Sequence, residues 1–245
     1  MIEDIDTPQP FLKVYPPDHE VFAEPVARHA RHLRALLSID LAVVDPAWRG
    51  WIHVVNPYEP DDGYVGQNTQ PFHNSHLRGN WVAFQMDAQD RYTLMGDFRY
   101  FHLENTEAEL PDLYPGHRAD IERHYAEEHA SLVEARARHG RLGALHYPGQ
   151  GVRDANRDFS QEAPCNLVDR LGGGADWGNW CNTGDDTFPL DDSDPDDVRP
   201  LAPDGTPFRF VASVCGSNYC RTGADSILLF HEPRSRTALL TFDWT

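Results

Sequence analysis

The chain is predicted to have an α+β fold, with a mostly antiparallel sheet, two main helices and long loops. Three observations support this prediction: dense apolar strands close the chain, a hairpin pattern lies in the first half, and two segments carry apolar residues near helical spacing. Strands and helices do not alternate in the way that indicates a parallel sheet. We treat residues 1–245 as one domain, with a possible subdivision near residue 147.

The strands are predicted from β-rich runs that polar turns separate. The predicted strands are residues 51–55, 81–86, 91–95, 98–103, 207–214, 225–230 and 237–244. The short polar segment 87–90 joins two of them into a hairpin, and the last three form a terminal meander. We expect the final strands to pair with the hairpin.

Two segments predict the helices. Residues 18–37 place apolar side chains near helical spacing, and Pro25 marks a point where a helix begins or bends. Residues 117–139 form the second helix, and Gly140 follows as its expected C-terminal end. Five of its residues lie on one line, with Val133 and Ala137 beside it; they are Ile121, Tyr125, Glu128, Leu132 and Arg136. Residues 147–206 are predicted to be mostly loop, and loops of that length tend to be functional.

The charge of the chain restricts its partners. Asp and Glu number 39 against 21 Lys and Arg, which gives a formal net charge of −18. Such a field repels nucleic acid and anionic lipid and attracts cationic surfaces. Nucleic-acid binding is therefore not expected, because it depends on neutralising phosphates. Solubility alone is the alternative explanation of this charge.

The sequence predicts a cytoplasmic protein without membrane contact. Its first residues lack the basic stretch and apolar run of a signal peptide, and no window approaches eighteen consecutive apolar residues. In the cytoplasm the four cysteines would stay reduced. Of Cys165, Cys181, Cys215 and Cys220, only the last two are close in sequence, so inert thiols are favoured over a structural zinc site, which stays open.

No catalytic motif is found. His124 and His129 are five residues apart, which places them about 140° apart on a helix instead of on one face. The glycines at 172–174 lack a following Gly-Lys-Ser/Thr, and no GxSxG elbow occurs. We therefore assign no catalytic residue, metal ligand or cofactor.

An acidic segment and two tryptophans are the candidate contact residues. The acidic residues are Asp185, Asp186, Asp191, Asp192, Asp194, Asp196 and Asp197, and five of these carboxylates fall within seven positions. A calcium loop is an alternative, but Val198 stands where a loop beginning at Asp192 would need an oxygen. A solvated loop is the simplest interpretation, and an attractant for a cationic protein is the functional one. Trp177 and Trp180 either cover the core or anchor a partner.

Residues 171–245 resemble the YwqG-like family of uncharacterised bacterial proteins. The resemblance lies in the glycines at 172–174 followed by Trp177, then the acidic loop, then the apolar strands at 226–230 and 238–242. It implies a mostly antiparallel α+β fold. Such families include immunity proteins that protect bacteria from secreted toxins, so it also implies that an immunity role is plausible. No catalytic residue is carried over.

These observations favour a cytoplasmic immunity or inhibitor protein that binds a basic toxin domain, such as a nuclease, through its acidic surface. The alternative is a metal-dependent or His/carboxylate hydrolase, using side chains around residues 73–104 and 124–129. A third interpretation is an accessory protein that binds without catalysis. Whether the chain is an enzyme stays open, with binding favoured.

Overall fold

The computed structural model of the protein describes residues 1–59, 63–106, 109, 117–147, 163–182 and 188–244. Within these ranges the strand ladders are antiparallel and three α-helices accompany them, which confirms the α+β fold. In the same ranges, none of the helices combines the length and the apolar character that a membrane crossing requires.

The larger sheet has eight strands drawn from the beginning, middle and end of the chain. They are β1 (Ile2–Ile5), β5 (Leu77–Arg78), β6 (Trp81–Met86), β7 (Tyr92–Leu94), β8 (Val168–Leu171), β11 (Arg209–Val214), β12 (Ser226–Glu232) and β13 (Thr237–Asp243). Their order is β1-β8-β11-β12-β13-β6-β5, and β7 pairs with β6. The predicted hairpin and terminal strands are confirmed, and β13 pairs with β6 as expected.

The remaining strands of the described residues form two smaller sheets. A three-stranded sheet contains β2 (Leu12–Val14), β3 (Leu33–Asp40) and β4 (Trp51–Pro57), with β3 at its centre. A two-stranded sheet contains β9 (Leu190–Asp191) and β10 (Arg199–Pro200). Strand β4 confirms the prediction for residues 51–55, whereas β8, β9 and β10 lie in the stretch predicted to be mostly loop.

The helix predicted over residues 18–37 is wrong in its second half. Two short helices, α1 (Asp18–Val21) and α2 (Val26–His32), are followed at once by β3. Strand β3 lies between β2 and β4, and its first seven residues are buried. A strand with both faces buried loses the alternation of apolar and polar residues. Its leucines therefore resembled the continuation of a helix face.

The long helix α3 (His117–Leu142) confirms the second predicted helix. Four of the five residues predicted to lie on one line are buried, namely Ile121, Tyr125, Glu128 and Leu132. The helix continues past Gly140 and ends where Gly143 adopts φ +68° and its N–H donates to His139 O at 2.8 Å. Gly143 thus provides the C-terminal end that was predicted at Gly140.

The strand predicted at residues 98–103 is wrong. Two 3₁₀ turns, Phe98–Tyr100 and His102–Glu104, occupy this segment. The Asp97 carboxylate caps the first turn by accepting a hydrogen bond from Arg99 N at 2.9 Å. Local capping by an aspartate favours a turn over a sheet ladder.

The larger sheet is covered on both faces. One face packs against the three-stranded sheet in the main apolar core. The other face carries a second apolar cluster, in which Trp180, Phe188 and Phe208 cover strand residues such as Phe230. A third and smaller cluster lies under α3 and contains Tyr58, Leu103, Ile121 and Tyr125.

Candidate functional site

The acidic segment forms a hairpin on the surface. We call β9, β10 and the intervening residues 192–198 the acidic hairpin. Its exposed carboxylates are those of Asp191, Asp192, Asp194 and Asp196, while Asp197 is half-buried and forms an ion pair with Arg199. Asp185 and Asp186 lie outside the described residues. Four of the seven predicted acidic contacts are therefore placed in solvent on one element.

The carboxylates of the hairpin shape its turns. Asp191 Oδ1 accepts from Ser193 Oγ at 2.7 Å and from Ser193 N at 3.3 Å. Asp194 Oδ1 accepts from Asp196 N at 3.1 Å, and Asp197 N donates to Asp194 O at 3.1 Å. The hydrogen bonds from Ser193 lower the pKa of Asp191 below its ordinary value. The local sequence thus forms a turn in which hydrogen bonds to Ser193 favour the ionised form of Asp191.

Backbone hydrogen bonds fasten the hairpin to the segment that carries Trp177. Trp177 N donates to Pro195 O at 2.8 Å, and Val198 N donates to Ala175 O at 2.8 Å. The two segments approach so closely that a Cβ at Gly174 would lie 2.5 Å from Asp196 O. Only glycine fits at this position. Trp177 is therefore held at a fixed place beside the acidic hairpin.

The two tryptophans have different environments. The Trp177 side chain is 51% exposed, so it is available to a partner. Trp180 is only 2% exposed, and its ring packs against Trp81 and Phe230 while Nε1 donates to Asp176 O at 3.0 Å. Of the two alternatives, covering the core and anchoring a partner, Trp180 takes the first, because its side chain lies buried over the larger sheet.

A cavity of about 400 Å³ opens beside Trp177. Five of its lining residues are acidic, namely Glu3, Asp4, Asp169, Asp176 and Asp243. Among the described residues that line the cavity, Arg170 is the cation, and its Nη2 lies 2.8 Å from Asp176 Oδ2. Trp177 thus lines this acidic cavity, and its backbone adjoins the acidic hairpin.

Burial changes the acidity of two of these carboxyl groups. It raises the pKa of Asp169, and the charge of Asp4 adds to this effect. It also raises the pKa of Asp243, with a further contribution from Asp225. A cation in the cavity would lower both pKa values by favouring the ionised forms. An exposed indole adds a face to which an ammonium or guanidinium group binds through a cation–π interaction.

The described residues contain no group of three or more His, Cys, Asp or Glu side chains placed to hold a metal ion. All four cysteines are free thiols. Burial raises the pKa of Cys181 and of Cys220 to about 11. Both are therefore protonated at neutral pH and poor metal ligands or nucleophiles in this state.

The histidines considered for hydrolysis contact neighbouring residues. His73 Nε2 lies 3.2 Å from Thr69 Oγ1 and 3.0 Å from Gly66 O. His124 Nε2 lies 2.7 Å from Tyr58 O, while His129 Nδ1 lies 3.2 Å from the Tyr58 hydroxyl. The structure thus brings His124 and His129 to one tyrosine and leaves His73 elsewhere.

One Ser–His pair was missed by the sequence reasoning. Ser38 Oγ lies 2.7 Å from His53 Nδ1, and the second ring nitrogen lies 3.1 Å from Asp90 O. The two side chains are opposite each other on β3 and β4. With Ser38 1% and His53 3% exposed, a substrate has no access to the hydroxyl. No local motif could have revealed the pair, because it arises from strand register.

Comparisons with known proteins give no assignment. No family model, no curated protein and no solved structure matches the chain. The geometry of the acidic surface around Trp177 is therefore the basis of the functional argument below.

Proposed function

We propose that this protein is an immunity or inhibitor protein that binds and neutralises a basic toxin domain in the cytoplasm. The observation that carries the proposal is the position of Trp177, half exposed between the acidic hairpin and the acidic cavity. Exposed carboxylates accelerate the encounter with a cationic protein. A rigidly held tryptophan supplies the short-range contact typical of interface hot spots.

The charge of the whole chain supports the same partner. A formal net charge of −18 repels phosphate backbones and attracts basic surfaces, which nucleases present to their own substrates. An inhibitor that covers such a surface would compete with nucleic acid. The resemblance of residues 171–245 to the YwqG-like family agrees with a role in immunity.

A first experiment identifies the partner and tests the carboxylates. The tagged chain is used to purify its partner from the native host, and binding of the purified pair is measured against salt. Exchanging Asp191, Asp192, Asp194 and Asp196 for Asn brings the formal net charge from −18 to −14. We expect the association rate at low salt to fall about tenfold, because long-range steering is lost. The dissociation rate should change little.

A matched variant controls for net charge. Exchanging Glu20, Glu24, Glu122 and Glu127 for Gln removes the same number of exposed carboxylates elsewhere on the surface. If this variant slows association as much as the hairpin variant does, the acidic hairpin has no special role. Failure of the purified partner to harm cells that lack the chain would contradict the immunity role itself.

Trp177→Ala tests the short-range contact. We expect about 2 kcal/mol of binding free energy to be lost, mainly as faster dissociation. The stability of the free protein should hardly change, since the side chain is half exposed. Unaltered affinity would show that Trp177 lies outside the interface. A partner-free turnover that disappears in His73→Ala or His124→Ala would instead support the hydrolase alternative.

A further inference from the structure

Four polar side chains, three of them buried and the fourth, Glu104, half-buried, form a continuous series of hydrogen bonds under α3. His32 Nε2 lies 2.9 Å from Glu104 Oε1, and His32 Nδ1 lies 3.1 Å from the Tyr125 hydroxyl. The same hydroxyl lies 2.7 Å from Glu59 Oε1. We call Glu104, His32, Tyr125 and Glu59 the proton chain. It connects α2, the end of β4, the turn before α3 and α3 itself.

The proton chain is shielded from water at its centre. His32 is fully buried, Glu59 is 3% exposed and Tyr125 is 8% exposed. The ring of His32 stacks on Phe101, with centroids 4.8 Å apart and planes within 4°. Each link must therefore be made by the four side chains themselves, because unpaired polar atoms in such a place are costly.

The proton chain needs one hydrogen more than its side chains supply in their ordinary protonation states. Its three links need three hydrogens, one for each pair of heavy atoms. A neutral imidazole and a phenol supply two, and ionised carboxylates supply none. If Tyr125 donates to Glu59, the missing proton lies on the link between His32 and Glu104, either as a second N–H of His32 or on the carboxyl of Glu104. If Tyr125 donates to His32, the carboxyl of Glu59 must carry the missing proton.

We propose that the folded protein holds one extra proton in the Glu104–His32–Tyr125–Glu59 chain and that this proton fastens α3 to the rest of the molecule. When the proton is lost, two hydrogen-bond acceptors face each other at one of the three hydrogen bonds. Tyr125 must then give up a hydrogen bond or move. Since Tyr125 belongs to α3, the docking of this helix depends on pH.

Three arginines face the proton chain from α2 and β3. Arg28 Nη2 lies 3.1 Å from Glu104 Oε2, and Arg31 Nη1 lies 3.2 Å from Glu104 Oε1. The charge of Arg34 acts on Tyr125 from β3. All three side chains are guanidinium cations. They favour the ionised form of Glu104, so they do not remove the need for the third hydrogen.

The local effects on acidity oppose one another. Burial has the largest effect on His32 and holds its pKa below the ordinary value, and the hydrogen bond to Glu104 and the charge of Glu59 oppose this effect without reversing it. Burial holds the pKa of Tyr125 well above its ordinary value, with a further contribution from Glu59. The phenol therefore keeps its hydrogen. Because the remaining groups share protons, their titration belongs to the chain as a unit.

The apolar cluster beside the proton chain is small, so the hydrogen bonds of the proton chain contribute to the docking of α3. The cluster there contains Tyr58, Leu103, Ile121 and Tyr125, separate from the two larger cores. Tyr58 stacks on Tyr125, with ring centroids 5.3 Å apart. Small clusters open at lower free energy than large cores do. We therefore expect the first half of α3 to exchange its amide hydrogens faster as the proton leaves.

Tyr125→Phe tests the proposal, with Tyr58→Phe as the matched control. The first variant removes the shared hydroxyl, so a neutral His32 satisfies the one remaining link to Glu104. Tyr58→Phe removes the hydroxyl of Tyr58, which stacks on Tyr125 but lies outside the proton chain. Unfolding in urea is followed from pH 6 to 9 in all three proteins.

A proton held only in the folded state stabilises it at low pH, and the effect is lost as pH rises. Relative to Tyr125→Phe, the folding equilibrium constant of the wild type should fall by up to about tenfold for each pH unit above about 6.5. Tyr58→Phe should follow the wild type. Parallel profiles for the wild type and Tyr125→Phe would overturn the proposal.

A measurement on the wild-type protein decides the matter even if Tyr125→Phe fails to fold. Nuclear magnetic resonance of the His32 ring nitrogens and of the Glu59 and Glu104 carboxyl carbons reports the protonation of each group at pH 7. The His32 signals are assigned by their loss in His32→Gln. An extra proton on any of the three supports the proposal. A neutral imidazole between two ionised carboxylates overturns it.

Discussion

The carboxylate of Glu128 on α3 is buried and paired, whereas four carboxylates of the acidic hairpin lie in solvent. Arg34 Nη1 lies 2.7 Å from Glu128 Oε2, and both side chains are fully buried. Arg221 Nε reaches the other oxygen of Glu128 at 2.7 Å. Burial raises the pKa of Glu128, and the charge of Arg34 with the hydrogen bond from Arg221 lowers it below its ordinary value. The carboxylate is therefore ionised inside the protein.

The acidic hairpin places the same functional group in water, where Asp192, Asp194 and Asp196 are exposed. An ion in water needs no counter-ion, so such residues are free to attract a partner. A buried ion needs one, so Glu128 is committed to the fold. The comparison teaches that acidic composition alone does not identify a binding surface. Burial separates the two roles.

The largest effect should follow from breaking the buried pair. Glu128→Ala leaves Arg34 buried without its counter-ion, and we expect it to lower the free energy of unfolding by about 4 kcal/mol. Glu127→Ala is the control, because Glu127 contacts the same Arg221 at 3.0 Å from an exposed position. It should cost about 0.5 kcal/mol or less. Urea unfolding measures both, and equal costs would contradict the distinction drawn here.

A buried histidine extends the comparison to pH. Burial lowers the pKa of His53 to about 4, and both ring nitrogens already have partners when the ring is neutral. Since an unfolded histidine has a pKa of about 6.5, the stability contributed by His53 is present above pH 6.5 and lost as pH falls toward 4. This loss amounts to about 3 kcal/mol.

The difference between wild type and His53→Gln isolates this contribution. Their free energies of unfolding, measured in urea between pH 4 and 7.5, should converge as pH falls. The direction is opposite to that expected for the proton chain, whose stabilising effect is lost as pH rises. A constant difference across this range would show that His53 is protonated equally in both states.

Local patterns predicted those elements that depend on local interactions. The hairpin of β6 and β7, the terminal strands and α3 each show the spacing of their own class, and each was found. Strand β3 was missed because pairing on both sides hides its alternation. Strand β8 was missed because polar residues dominate its surroundings in sequence. Both β3 and β8 form because they pair with other strands of the fold, and a local sequence pattern does not reveal this pairing.

The candidate site could be predicted only in its composition. The acidic run and Trp177 were visible in the sequence, but the backbone contacts that bring them together arise from folding. Trp180 differs from Trp177 only in its place over the larger sheet. The proton chain was invisible because its members come from four segments that are distant in sequence. Such constellations require the fold.

The smallest effect should come from the hairpin carboxylates. Exchanging Asp191, Asp192, Asp194 and Asp196 for Asn keeps the side-chain oxygens that accept from Ser193 and Asp196 N. It removes the repulsion among like charges, so we expect the free energy of unfolding to rise slightly at low salt. The gain should vanish near 1 M salt, where screening acts within about 3 Å. A loss above about 2 kcal/mol would mean that these carboxylates hold the fold together, as Glu128 does.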